Sequence, residues 1–193
     1  MRKILVFSDL HANKDALDDI LPLLGEASLS IFCGDLLGYG TDIDASIDFV
    51  LKKIDLVVLG NHERLAITNE DLSKQRPAVR ESALYARSKL NSEQKKLLLS
   101  LPTQILYRDI YITHSIGDDY LRSEKDFLRL CKTMPKEAKY AFFGHTHEQI
   151  IFKHNGRTVV NPGSITKGRF GFPRGYAMLC GESVNLVPLE PIL

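Results

Sequence analysis

The chain has 193 residues, 44% hydrophobic and 25% charged, with a formal net charge of +1. That is enough for one domain with a buried core, and so small a net charge argues against binding nucleic acid through a general electrostatic footprint. No apolar run approaches the roughly 18 residues needed to span a bilayer, and Met1-Arg2-Lys3 leads into a strand without a signal-peptide cleavage pattern, so no membrane association is expected and the cytoplasm is the expected location.

Ile4 to Phe7 is a continuous apolar run, the pattern of a strand buried on both faces, and it ends at Ser8-Asp9-Leu10-His11. Leu17, Ile20, Leu21 and Leu24 recur at helical spacing, with Pro22 expected to bend or shorten that helix. Leu29 to Cys33 reads as a second strand closing on Gly34-Asp35. Ile43, Ile47, Val50, Leu51 and Ile54 line an amphipathic helix, and Leu56 to Leu59 is a third strand closing on Gly60-Asn61-His62-Glu63. This β-α-β-α-β order implies a parallel sheet with ligands at the carboxyl ends of its strands.

Residues 64–104 change character. They are helix-prone, with Pro77 as a first-turn residue and Ser92-Glu93 as a helix start, and read as an inserted helical segment. Residues 1–63 carry five Lys/Arg against eleven Asp/Glu, whereas residues 64–108 carry nine against four, so the first section suits cations and the second could cap a site for an anion. Ile105 to Tyr107 and Ile110 to Thr113 are strands that deliver His114. Glu124 to Thr133 is a helix, and Tyr140 to Phe143 delivers Gly144-His145-Thr146-His147. Ile150 to Lys153 pairs with Thr158 to Val160 across Asn155-Gly156, and Tyr176 to Leu179 with Val184 to Leu189 complete a second, largely antiparallel set. Cys33, Cys131 and Cys180 are odd in number and far apart, which indicates neither a disulfide framework nor a thiolate metal site.

Five of the six histidines fall in polar clusters at strand ends, where packing rarely puts them. Asp9, His11, Asp35, Asn61, His114, His145 and His147 offer oxygen and imidazole donors but no thiolate, a mixture suited to Mn²⁺, Fe, Zn²⁺, Co²⁺ or Ni²⁺ rather than Ca²⁺. In Asp9-Leu10-His11 and His145-Thr146-His147, alternation along an extended segment would point the outer residues the same way. Seven donors exceed the needs of one ion. With Asp35 shared between two, each ion has four protein ligands and room for a bridging hydroxide and a substrate oxygen. His154, beside the Asn155-Gly156 turn, reads as an exposed hairpin residue.

The ordered pattern D-x-H, G-D, G-N-H-E, H, G-H-T-H resembles that of the calcineurin-like metallophosphoesterase superfamily along essentially the whole chain. The S-D-L-H-A-N start, the G-D-L-L-G-Y-G stretch and the late N-P-G-S are similar to the small bacterial and archaeal phosphodiesterase-like branch. Each fragment alone recurs by chance; their order at five strand ends carries the resemblance. It implies an α/β fold, a four-layer α-β-β-α sandwich of two mixed β-sheets flanked by helices, as one domain over residues 1–193 with 64–104 as a short helical cap.

It further implies that Asp9, His11, Asp35 and His147 hold one divalent ion and that Asp35, Asn61, His114 and His145 hold the other, with Mn²⁺ heading the candidates. His62 would remain free to give a proton to the leaving oxygen or to stabilise negative charge on it. Asn161, Arg169 and Arg174 are candidates for substrate contact: Asn161 through the N-P-G-S turn, the arginines because such loops in the resembled proteins often carry them. Ser115-Ile116-Gly117-Asp118-Asp119-Tyr120 departs from the Gly-Ser-Pro-like stretch of those relatives, which leaves substrate contacts there undefined. The expected function is hydrolysis of a phosphodiester or phosphomonoester in a small soluble substrate, nucleotides included. The alternatives are a diadenosine polyphosphate hydrolase, a nuclease, and a non-catalytic interaction scaffold on the same fold.

Overall fold

A computed structural model of the chain describes residues 2–192. Ten strands form two five-stranded sheets, ordered β10-β9-β1-β2-β3 and β4-β5-β6-β8-β7. In the first, β1 (Lys3–Phe7), β2 (Leu29–Phe32) and β3 (Leu56–Val57) run parallel, and β9 (Arg174–Cys180) and β10 (Ser183–Leu189) add on antiparallel beside β1. In the second, β5 (Ile110–Thr113), β6 (Tyr140–Phe142) and β8 (Arg157–Pro162) are parallel, and β4 (Gln104–Tyr107) and β7 (Gln149–His154) are the antiparallel edges. The last two strands therefore extend the first sheet instead of completing the second, and the second sheet has a parallel centre.

Both faces of both sheets are covered, which explains the unbroken apolar runs. In β1, Ile4 and Val6 join Ile31, Val58, Ile112, Phe142 and Val160 between the sheets, while Leu5 and Phe7 face helices α1 (Leu17–Leu24) and α2 (Ile43–Lys53). On the far side, Phe127 and Leu130 of α6 (Glu124–Thr133) pack on Ala141, Phe143 and Val159. The layers are thus helices, sheet, sheet, helix.

Local chemistry sets the element ends. A 3-10 turn at Lys14–Ala16, capped by Asn13 accepting from the Asp15 N–H, leads into α1, and α1 stops two residues after Pro22. Ser123 and Asp126 form a reciprocal cap on α6. Asn155 and Gly156 have φ of 47° and 74°, the paired left-handed geometry of the hairpin turn expected there, and His154 beside them is exposed.

Residues 64–104 are less separate than the sequence suggests. The third motif itself opens a helix, α3 (Asn61–Ile67), followed by α4 (Pro77–Lys89) and α5 (Ser92–Leu99). Ala86, Leu90 and Leu98 belong to the core that α1 and α2 share, so α4 and α5 are part of the outer layer. The connection before α4 and the first turn of α4 reach over the strand ends, where Lys74, Gln75, Arg76 and Val79 line a cleft with His62.

Candidate metal centre

The carboxyl ends of β1, β2, β3, β5 and β6 converge along one edge of the two sheets. Donor atoms of Asp9, His11 and His147 lie within 4.8 Å of one another; so do those of His11, Asp35 and His62, and those of Asp35, His114 and His145. The groups are linked in a row through His11 and Asp35, and every one of these residues is buried. Asn61 joins through its side-chain oxygen, 3.1 Å from His114 Nε2.

The route by which the donors converge differs from strand alternation. Strand β1 ends at Phe7 and β6 at Phe142, before either motif begins. Asp9, His11, Asp35, His145 and His147 instead have positive φ, between 52° and 70°. Left-handed backbone at a side chain other than glycine costs roughly 1–3 kcal/mol, and it persists where the surrounding structure over-determines it, typically at functional sites. Pairs of such kinks fold each three-residue segment back on itself, so that both donors point into the same space.

The loops carrying these kinks are bolted together. Glu63, 1% exposed, accepts backbone N–H donors from Asp35 (3.0 Å), Leu37 (2.7 Å) and Gly60 (2.8 Å), tying the β2 loop to the start of α3. Burial and the neighbouring Asp35 charge push its carboxyl up to about 8 against the Leu37 and Gly60 donors. Gly60 is needed there because a Cβ would lie 2.2 Å from Asp35 Oδ1.

Asn161 and Ser164 play the corresponding part on the other side. The Asn161 amide donates to the Gly144 carbonyl (2.8 Å) and to Thr146 Oγ1 (2.9 Å), and its oxygen accepts from the Gly163 N–H (2.8 Å). Ser164 Oγ donates to the Asp9 carbonyl at 2.8 Å. Asn161 is fully buried with these hydrogen bonds made, and so braces the donor loops.

Three imidazoles are oriented by the backbone. Nδ1 of His11, His114 and His147 meets the carbonyls of Leu37 (2.9 Å), Cys33 (2.7 Å) and Lys167 (2.9 Å). A ring whose Nδ1–H is committed to a carbonyl presents the Nε2 lone pair, the arrangement that metal-bound histidines favour. His11 Nε2 and His147 Nε2 face each other at 3.0 Å, and His145 Nε2 is buried without a hydrogen-bond partner. Two facing lone pairs require a proton or a cation between them, and the residues present fit divalent metal ions.

The electrostatics point the same way. Burial pushes the Asp9 carboxyl up, but the His147 and His114 charges outweigh it and hold it at about 2; Asp35, similarly buried, is held well below the usual carboxylate range by His114 and His62. Burial depresses His11 to about 3 and His145 to about 4, with neighbouring histidines adding to it. Burial opposes the charge on His114, yet Asp35 raises it to about 10. Two buried carboxylates demand positive charge, and without metal one histidine supplies it.

His62 differs from these rings. It is 4% exposed, its ring packs on His11 (4.9 Å) and Tyr39 (4.8 Å), its backbone N–H donates to Asp35 Oδ1 at 2.9 Å, and its Nδ1 has no partner. Gly38 makes the space: a Cβ there would lie 2.3 Å from that Nδ1.

The two loop arginines separate. Arg169 lines the cleft, with Tyr39 Oη 3.4 Å away. Arg174 is 8% exposed and fully engaged with Asp19 (2.7 Å), the Ile165 carbonyl (2.9 Å) and the Glu190 carbonyl. These contacts anchor the base of the loop. Sequence reasoning missed Lys74, Arg76 and Tyr120 at the cleft. Tyr120 stacks 4.2 Å from His145 in the very loop that departs from the relatives' pattern.

A family model described as the calcineurin-like phosphoesterase superfamily domain matches residues 2–183. An uncharacterized protein of Methanocaldococcus jannaschii is 25% identical over 97% of this chain and 87% of its own length. The crystal structure of a metallophosphoesterase from Sphaerobacter thermophilus superposes with a TM-score of 0.78 at 22% identity, covering 98% of this chain and 89% of that one. A hypothetical protein from Pyrococcus horikoshii gives 0.80 at 16% identity, covering 100% and 89%. The chain shares the fold of these structures and belongs to the calcineurin-like phosphoesterase superfamily.

Proposed function

We propose that the protein is a dinuclear metal-dependent phosphoesterase that hydrolyses a small phosphorylated substrate, with phosphodiesters and phosphomonoesters both within its reach. The observation that carries this reading is the contrast among five histidines on one cleft floor. Three, His11, His114 and His147, have rings tethered by backbone carbonyls and offer Nε2, His145 adds a buried Nε2 without a partner, and His62 is left untethered beside them.

Asp9, His11, Asp35 and His147 would hold one ion, and Asp35, Asn61, His114 and His145 the other, with Asp35 shared. Two bound divalent ions supply Lewis-acid polarisation of the phosphoryl oxygens and an activated water for in-line attack. The chain's own residues do the rest. The backbone carbonyls of Leu37, Cys33 and Lys167 hold the donor rings in one tautomer, so nothing reorganises during the reaction. His62 gives its ring proton, or a hydrogen bond, to the oxygen that leaves phosphorus. Tyr39 packs over His11 and His62 and keeps bulk water off that side. Mn²⁺ is the expected ion, and Fe, Zn²⁺, Co²⁺ and Ni²⁺ suit the same donors.

The test is turnover of p-nitrophenyl phosphate and bis-p-nitrophenyl phosphate with Mn²⁺, for the wild type and His62→Ala. The variant is expected to keep its metal content and lose about 10²–10⁴-fold in kcat. A metal-loaded wild type inactive on both would leave an interaction scaffold as the better reading.

A further inference from the structure

We infer that Tyr39 and Tyr120, continued outward by Arg122 and Phe170, form a stacking wall at the mouth of the donor cleft, and that the organic part of the substrate is a planar aromatic group. The inference rests on the phosphoesterase reading of the donor cluster. Tyr39 and Tyr120 come from different loops, after β2 and after β5, and both line the cleft of about 240 Å³ that contains Asp35, Asn61, His62, His145 and His147. Each packs on imidazoles of the site: Tyr39 on His11 (4.7 Å) and His62 (4.8 Å), Tyr120 on His145 (4.2 Å). Each also keeps much of its surface in water, at 46% and 39% exposed.

Exposed aromatic surface is concentrated around this cleft. Among the described residues five aromatic side chains are exposed, and four of them, Tyr39, Tyr120, Phe170 and Phe172, lie on three loops at the strand ends. The exposed leucines are instead scattered over α1, α4, α5 and β4. Single exposed apolar side chains are ordinary, but rings gathered from separate loops around one cleft mark a binding surface.

Phe170 is the most exposed of these rings, at 75%. Its φ of 53°, followed by 84° at Gly171, puts it at the first central position of a turn closed by the Phe172 N–H on the Arg169 carbonyl (3.0 Å). Asparagine, aspartate or glycine suits that position, so neither backbone preference nor burial accounts for a phenylalanine there. Its ring is held by Arg122, whose guanidinium lies 4.6 Å from the Phe170 centroid and 4.8 Å from that of Tyr120 while pairing with Glu148. A run of planar faces therefore leads from His145 through Tyr120 and Arg122 to Phe170. Rings and guanidinium planes stack on any π face, so an aryl group or a nucleobase attached to a phosphate on the cleft floor would cover them. An alkyl phosphate would leave them in water.

The test is calorimetric titration of metal-loaded protein, at fixed free Mn²⁺, with methylphosphonate, cyclohexylphosphonate, phenylphosphonate and the 5′-methylenephosphonate analogue of adenosine monophosphate, none of which carries a hydrolysable ester bond. The tighter of the two aromatic ligands is expected to bind at least about fivefold more tightly than either aliphatic one, and which of them is tighter tells an aryl ester from a nucleotide. Tyr120→Leu/Phe170→Ala should lose more than half of that preference, and Tyr120→Phe should keep it, with metal content unchanged in both. A smaller wild-type preference, a double variant that keeps it, or a Tyr120→Phe variant that loses it overturns the inference and leaves the metal reading standing. A wild type that holds no metal and binds none of the four ligands overturns both.

Discussion

On the floor of the cleft the His11, His114 and His147 rings are tethered to backbone carbonyls, while on its rim Lys74, Arg76 and Arg169 stand without a carboxylate partner among the described residues. The floor is strained, buried and held by Glu63, Asn161 and Ser164. The rim is exposed and reached from the loop before α4 and the loop before β9. Such a division suits a site whose chemistry needs fixed geometry and whose recognition tolerates adjustment. Changes on the floor should therefore alter kcat or metal content, and changes on the rim should alter KM.

After His62→Ala itself, the largest effect is expected from a residue that touches neither metal nor substrate. Gly38→Ala displaces the His62 ring, so kcat should fall about 10²-fold while metal content stays at the wild-type level. Equal loss of metal and activity would show that His62 is part of the donor set instead.

The floor also has a pH signature in metal-stripped protein. His11 and His145, held near 3 and 4 by burial, refuse protons that the unfolded chain takes up near 6.5, so their stability is present above 6.5 and lost as pH falls toward 4. His114, raised to about 10, contributes fully below 6.5 and loses its contribution as pH rises through 10. Melting temperature of the stripped protein should peak near neutrality and fall on both sides. Manganese loading at pH 8 should release about one proton, from His114.

A smaller effect separates the two loop arginines. Arg174→Ala breaks a largely buried ion pair and two carbonyl contacts, and should cost about 2 kcal/mol of stability without changing KM. Arg169→Ala should leave melting unchanged and raise KM about three- to tenfold, as expected for one phosphate-facing guanidinium. The opposite assignment of effects would place the anchor and the contact the other way round.

The five strand-end motifs were legible because each follows an apolar run that only a strand buried on both faces explains, and because Asp and His in such places have little to do in packing. What lay beyond local pattern was long-range. Nothing in Tyr176 to Leu179 signals that this strand pairs with β1 across the sequence, and Ala177 and Leu179 would fill either sheet. The positive φ at Asp9, His11, His145 and His147 was hidden for a related reason: D-x-H and H-T-H suit an extended segment equally well, and only the neighbouring loops impose the kinks. Arg169 and Arg174 share one short loop and one residue type, so their division between rim and anchor follows from Asp19 and the Glu190 carbonyl, which are distant in the chain. Lys74 and Arg76 were visible only as part of a basic stretch.

Metal stoichiometry tests most directly the proposal that two ions share Asp35. Elemental analysis of protein equilibrated with Mn²⁺ should give two ions per chain for the wild type, one for His114→Ala, and fewer than one for Asp35→Ala. One ion per chain in the wild type, or an Asp35→Ala variant that still holds two, would contradict it.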